Sequence, residues 1–404
     1  MTSPHGEGLR GPRSPLAERL AEAAARAHSI EAFVSRAGAI LWRAHLGVDR
    51  LFVSLQTLHP AFRARTYLWR RNATAVEVVD WPHGLKNRPG YYASPDFEVH
   101  RSGTELRVRN LGDITDHPCA LYGALKLEGY SDYLMRPLAF SDGTINTIAF
   151  ATKRRRGFDA RAVNRFRALT DIFVIAFERY AALETLNATL DTYLGRSAAG
   201  RVLSGRIRSG HGEQTDAAIL FADLDGFTEH ATRLDAVQTV RLLNTYFDCL
   251  VDPIEDNGGY VLKFIGDAVL AFFPLIEGAP PPRPMKAVMA ICARLGALNQ
   301  VRRAAREPPL THALCGHFGR VLYGNVGSSE RLDFTIIGEA VNMAARGVDK
   351  AKELGASYVF TRAFVARYGR DRVVPLGRFA LRGIADPVEL FTLAAAPTSN
   401  RRRR

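Results

Sequence analysis

The sequence predicts a mixed helix-and-strand (α+β) chain of two domains joined by a helical linker. Three observations carry this expectation. The chain has 404 residues, 47% of them hydrophobic and 24% charged, which is more than one core usually organises. Helical and strand patterns alternate through both halves. No run reaches the roughly 18–20 apolar residues of a membrane span. The boundaries read as a disordered tail at 1–15, a first domain at 16–180, a linker at 181–212, a second domain at 213–396 and a basic tail at 397–404.

Met1 to Pro15 is rich in Gly, Pro and Arg and lacks the apolar segment of a secretory signal. Leu16 to Trp42 has a helical pattern, and Leu51 to Leu58 is an apolar strand. Tyr133 to Phe140 and Thr144 to Thr152 flank Ser141-Asp142-Gly143, the mark of a hairpin. A long helix begins near Ala160. Tyr67, Trp69, Trp81, Tyr91, Tyr92 and Phe97 either line a ligand pocket or pack in the core and loops. In the linker, Leu183, Leu186, Leu190 and Tyr193 recur at three- and four-residue steps, extended backwards by Leu169, Ile172 and Ala176 and interrupted by Arg179. That spacing fits a short coiled coil or, equally, an amphipathic helix on its own domain. Gly195 to Gly212 reads as a hinge.

In the second domain, Ala217 to Ala222 is a β run ending at Asp223, and Asp235 to Asp256 is a helix stopped by Asn257-Gly258-Gly259. Tyr260 to Ile265 and Ala268 to Phe273 are strands pinched around Gly266-Asp267. Pro284 to Arg306 is helical, Thr311 to Phe318 and Val321 to Val326 are strands, and Ala340 to Glu353 is a helix.

The formal net charge is +13. The basic residues are spread along the chain, apart from Lys153 to Arg156 and Arg401 to Arg404, and no nucleic-acid-binding pattern organises them. A polyanionic small-molecule substrate or a solvated basic surface accounts for the charge, and no nucleic-acid partner is expected. The four cysteines, Cys119, Cys249, Cys292 and Cys315, lie far apart without metal-ligand spacing. They fit a reduced, cytoplasmic protein.

Two carboxylates stand where strands end or turn: Asp223 in Phe-Ala-Asp-Leu-Asp-Gly-Phe-Thr and Asp267 in Lys-Phe-Ile-Gly-Asp. An acid rigidly held at a strand end suits a hard cation, although either alone beside Gly reads as a turn residue. With Asp333-Phe-Thr-Ile-Ile-Gly-Glu-Ala-Val-Asn-Met-Ala-Ala-Arg346 and, more weakly, Leu381-Arg-Gly-Ile384, these segments resemble the catalytic domain of class III nucleotide cyclases, in the same order. The first segment resembles a GAF-type sensor domain in its element pattern.

The cyclase resemblance implies a ferredoxin-like fold and active sites shared between the two chains of a homodimer. It implies that Asp223, Asp267 and the backbone carbonyl of Leu224 hold two Mg²⁺ or Mn²⁺ ions. One ion would activate the ribose 3′-hydroxyl of ATP and the other would clamp the triphosphate. Arg346 would stabilise charge on the α-phosphoryl group and Asn342, four residues earlier on one helix face, would orient the ribose. Phe227, Thr228 and Arg382 would contact substrate. Lys263 and Thr335 would offer a donor and an acceptor to adenine, as in a bacterial subgroup of the family. The implied product is cyclic AMP.

Some positions depart from the pattern. Arg382 stands where a lysine is usual, and Glu339 where Asp is more frequent. Ala313 falls near the place of a triphosphate-contacting strand Arg, for which Arg320 could substitute from a following turn. Asp225 reads as a loop residue more than a third ligand. A guanine-using cyclase and a non-catalytic nucleotide-sensing scaffold with the same fold remain as alternatives. No Gly-Gly-Asp/Glu-Glu-Phe turn and no P-loop is present.

Overall fold

The computed structural model describes residues 14–57, 59, 61–84, 89–114, 119–206, 212–328, 330–369 and 372–394. It divides into two compact units, Met1–Thr192 and Tyr193–Arg404.

The N-terminal unit contains α1 (Pro15–Arg26), α2 (Ile30–Arg43), β1 (Arg50–Gln56), β2 (Ala64–Arg70), β3 (Glu77–Trp81), α3 (Pro89–Tyr92), α4 (Pro95–Ser102), β4 (Leu106–Arg109), α5 (Ala120–Leu127), β5 (Asp132–Ala139), β6 (Ile145–Thr152), α6 (Ala160–Ala168) and α7 (Thr170–Leu194). Two meanders join through β1 and β6 into an antiparallel sheet of order β3-β2-β1-β6-β5-β4. Alternation along β1 sends Leu51, Val53 and Leu55 into a core with α1, α2, α6 and α7, while Phe52 faces a second core with α4 and α5. The Ser141–Gly143 hairpin closes β5 on β6 as expected, Ala139 opposite Ile145.

Several elements differ from the expectations. Leu16–Trp42 is two helices, because Ser29 caps α2 by accepting from the Ala32 amide at 3.2 Å. Pro15, placed in the tail, is the first residue of α1. The helix expected to run on from Ala160 breaks between α6 and α7. Leu169 and Ala176, read as a backward extension of the coiled-coil seam, are buried in the unit's own core, whereas Leu183, Leu186 and Tyr193 are exposed. Of the six aromatics, Tyr67 and Trp69 are core residues, and Trp81 and Tyr91 line a cavity of about 330 Å³.

The C-terminal unit contains α8 (Arg196–Leu203), β7 (Gly212–Leu224), α9 (Phe227–Arg233), α10 (Ala236–Glu255), β8 (Tyr260–Ile265), β9 (Ala268–Pro274), α11 (Pro284–Ala304), β10 (His312–Gly327), β11 (Leu332–Ile337), α12 (Glu339–Leu354), β12 (Tyr358–Thr361), α13 (Arg362–Tyr368), β13 (Val373–Phe379) and β14 (Val388–Leu393). The sheet order is β13-β14-β12-β10-β7-β9-β8, with β11 paired to β10. Within it, β7-α10-β8-β9-α11-β10 forms a βαββαβ unit with β10-β7-β9-β8 side by side and antiparallel, which is the ferredoxin-like arrangement.

Two further expectations are corrected here. Residues 196–203 are not a hinge but a helix whose Ala198 and Ala199 are buried, with Ser197 accepting from the Tyr323 hydroxyl at 3.0 Å. Residues 207–211 of that stretch, and the two charged tails at 1–13 and 395–404, lie outside the described residues. The strands expected at 311–318 and 321–326 are one strand, β10, because β7 is itself long and pairs with it without a break from Leu224–His312 to Gly212–Gly324. Arg320 is therefore not on a turn. It lies opposite Asp216 in mid-sheet and pairs with it at 3.3 Å.

Candidate active site

Strand alternation decides where the first carboxylate points. Along β7, Ala218, Leu220, Ala222 and Leu224 pack against α10 and α11. Ala217 and Ile219, with Phe221, pack on the opposite face against α12, and Asp223 continues that second series at the strand end. Asp223 lies opposite Ala268 of β9 and Ala313 of β10, so it sits at the end of a central strand, held from both sides.

Asp267 arrives from the neighbouring hairpin. Gly266 occupies the turn between β8 and β9 with φ +63°, a conformation that costs a β-carbon-bearing residue energy. The turn lifts Asp267 to Asp223. Burial, together with the hydrogen bond and negative charge of Asp223, pushes the Asp267 carboxyl above its ordinary pKa, against a smaller opposing pull from its own backbone and Lys352. A carboxylate made costly to ionise by burial and by a neighbouring acid, as Asp267 is, marks a place for a cation.

A cation from the chain itself already stands there. Lys352 of α12 donates to Asp223 Oδ2 at 2.7 Å. Burial opposes the ammonium, but the Asp223 bond and the charges of Asp223, Asp225 and Asp267 raise its pKa overall. Gly347 makes the approach possible: a β-carbon there would collide with Cys315 Sγ of β10, so only glycine lets α12 lie this close to the sheet. Nothing in the pattern of the sequence singled out Lys352. Its partner is 129 residues away, and only the packing of α12 shows the pair.

Among the described residues, no set of three or more His, Cys, Asp or Glu side chains is arranged to hold an ion. Two carboxylates are thus the protein's side-chain contribution, and the other oxygens of a divalent site would come from the Leu224 carbonyl, water and the phosphates of a nucleotide. Leu224 has a buried side chain, and the following residue, Asp225, is in a turn, its amide bonded to the Thr311 carbonyl at 2.9 Å. The acidic pair, already matched by a stand-in ammonium, fits a divalent cation.

The remaining predicted residues form separate groups. Lys263 on the edge strand β8 donates to Asp333 Oδ2 at 3.1 Å. Thr335, two positions on along β11 and on the same strand face, is buried. Asn342 is exposed on α12, and Arg346, one turn later, pairs with Asp349 at 3.2 Å. Arg382 is exposed in the turn that follows β13. Phe227 opens α9 and packs at the margin of the core beneath β7. The side chain of Thr228 lies outside the described residues. Among the described residues, no hydrogen bond or ion pair joins the Asp223–Asp267 group to Lys263, Thr335, Asn342 or Arg346 within one chain. Arg320 is no closer: seven strand positions separate its row from that of Asp223, roughly 23 Å.

Residues 211–361, which carry this fold and this pair of strand-end acids, match the family model of the Adenylate and Guanylate cyclase catalytic domain. The chain is 36% identical over 202 residues to an uncharacterized protein of Mycobacterium tuberculosis (strain ATCC 25618 / H37Rv), covering 49% of this chain and 36% of that one. It spans about a third of the length of the curated relatives it matches. Its structure is similar to that of the adenylyl cyclase CyaB from P. aeruginosa (25% identity, TM-score 0.40, 46% of this chain and 98% of that one). It is similar as well to the guanylyl cyclase Cya2 (27% identity, TM-score 0.39, 47% and 97%). No helix among the described residues is long and apolar enough to cross a membrane.

Proposed function

We propose that the protein is an adenylate cyclase, converting ATP to 3′,5′-cyclic AMP and pyrophosphate. The observation that carries this reading is the convergence of Asp223 and Asp267 in a domain of the cyclase family. Two Mg²⁺ or Mn²⁺ ions on Asp223, Asp267 and the Leu224 carbonyl would supply Lewis-acid activation of the ribose 3′-hydroxyl and neutralise the triphosphate.

The chain's own residues do the rest. Lys263 donates to the adenine ring and Thr335 accepts from its exocyclic amine, which selects against guanine. Asn342 fixes the ribose, and Arg346, freed from Asp349, meets the charge that grows on the α-phosphoryl oxygens. Arg382, and Phe227 with Thr228 beside the acids, complete the substrate contacts. Because no hydrogen bond or ion pair among the described residues joins the acids to the base-reading group within one chain, each site is completed by a second copy in a homodimer. Exposed Phe264 and Ile265 on β8 and Ile337 at the end of β11 supply apolar surface for that contact.

We further propose that the N-terminal unit is a GAF-like sensor that governs the catalytic unit through the α7 segment, where Leu183, Leu186 and Tyr193 are exposed. Its cavity, lined by Phe52, Trp81, Tyr91, Asp96 and His100 among others, is the place for a small ligand.

The test is incubation of the purified full-length chain with ATP or GTP and either metal, with product identification by mass spectrometry. Cyclic AMP supports the reading. Cyclic GMP as the main product makes the protein a guanine-using cyclase, and no product with nucleotide bound makes it a non-catalytic scaffold.

A further inference from the structure

Lys352 is the residue of the acidic group that no catalytic role above uses. It is exposed on α12, next to Ala351 and one turn beyond Val348, both of which pack on the sheet. Its side chain leaves the helix to reach Asp223 at 2.7 Å, with 38% of the lysine's and 26% of the aspartate's side-chain surface exposed. It faces three acids, Asp223, Asp225 and Asp267. Against these three negative charges the described residues place one ammonium in hydrogen-bond contact. Other lysines and arginines of α12 have partners on their own helix: Arg346 with Asp349, and Lys350 with Glu353. Lys352 alone of these is spent on the sheet.

We propose that Lys352 is a tethered counterion that holds the metal position at Asp223 until nucleotide arrives. This inference rests on the reading of Asp223 and Asp267 as metal ligands. An ammonium hydrogen-bonded to Asp223 and a divalent ion on the same carboxylate repel one another and compete for its charge, so metal binding favours displacement of the ammonium. A lysine is suited to this exchange. Its charge rides on a flexible four-carbon stem, and once displaced it can turn to the polyanionic triphosphate that arrives with the metal. Binding of metal and of nucleotide are thereby coupled: the nucleotide gives the displaced ammonium a new anion, and the metal frees it to be used. Coupling of this kind is reciprocal. The free protein would hold metal weakly, and the nucleotide complex tightly.

The experiment is direct Mn²⁺ binding to the full-length protein, with free Mn²⁺ read by electron paramagnetic resonance, in the absence and presence of a non-cyclisable ATP analogue. Wild type, Lys352→Met, Lys352→Gln, Lys352→Arg and Asp223→Asn are compared, each checked for native circular dichroism. Without nucleotide, the Met and Gln variants should bind Mn²⁺ about tenfold more tightly than wild type, the scale of one charge-assisted hydrogen bond. Their gain in affinity on adding the analogue should be smaller than that of wild type. Lys352→Arg, which keeps the charge, should stay close to wild type. Unchanged or weaker Mn²⁺ binding by both neutral variants would overturn the counterion role and leave the metal assignment standing. If Asp223→Asn binds Mn²⁺ as well as wild type does, the metal reading itself is wrong, and the inference falls with it.

Discussion

Lys263 on β8 and Asp333 on β11 are joined by a 3.1 Å hydrogen bond between residues 70 positions apart. The residue expected to read the base thus has a carboxylate partner, and that partner shares a strand face with Thr335, the other base-reading candidate. Asp333 is more exposed than Lys263, so the pair positions the lysine more than it stabilises the fold.

Exchanging Lys263→Glu together with Thr335→Cys should weaken use of ATP and raise relative use of GTP, since each polar group of the wrong base is then left to find a partner. Competition between the two nucleotides measures this. Full retention of ATP preference would remove both residues from base selection. Asp333→Ala, which leaves the lysine without this partner, should raise KM for ATP by no more than about fivefold.

Asp223→Asn and Asp267→Asn should each lower cyclic AMP synthesis by at least about a hundredfold with the fold intact, because each removes one charge from the cation site. A shared site adds a sharper consequence. Mixing Asp223→Asn with Arg346→Ala gives mixed dimers in which one site collects both lesions and the other none. Random pairing makes about half the dimers mixed, so about a quarter of wild-type activity should return. No recovery, once subunit exchange is verified, would mean that each site is built within one chain.

Buried His312 and half-buried His317 make the C-terminal unit acid-sensitive. Burial lowers both imidazoles from 6.5 to about 4. Between those values the unfolded chain takes up protons that the folded chain does not, so stability falls as pH drops from about 6.5 towards 4. Each histidine contributes up to roughly 1.4 kcal/mol per pH unit in that window. Thermal unfolding across this range should show a shallower loss for His312→Phe with His317→Gln than for wild type. Parallel curves would assign the acid sensitivity elsewhere.

Gly347→Val should destabilise the C-terminal unit by about 1–3 kcal/mol, the usual cost of forcing extra volume into a packed contact. The added side chain must displace Cys315 or lift α12 from β10. Calorimetry on the variant checks the magnitude. A melting temperature equal to wild type would show that the helix can shift without loss.

The elements that the chain announces are those whose causes are local. Ser141-Asp142-Gly143 makes its hairpin within three residues, and Asp235 with Gln238 closes a capping box at the start of α10. Gly266 beside Asp267 marks a turn wherever it occurs. The structure departs from these local signals where distant pairing overrides local preference. Gly319 and Arg320 look like a turn, yet pairing with β7 carries β10 straight through them. Gly195 to Gly212 looks loose, yet the burial of Ala198 and Ala199 holds α8 in the unit. By itself the sequence determined which side chains are candidates, since Asp223, Asp267, Lys263, Thr335, Asn342 and Arg346 stand in short recognisable segments. Only the tertiary structure decided what each of them touches. Lys352 reaches Asp223, and Asp333 reaches Lys263, because sheet order and the seat of α12 bring together residues that no local spacing relates.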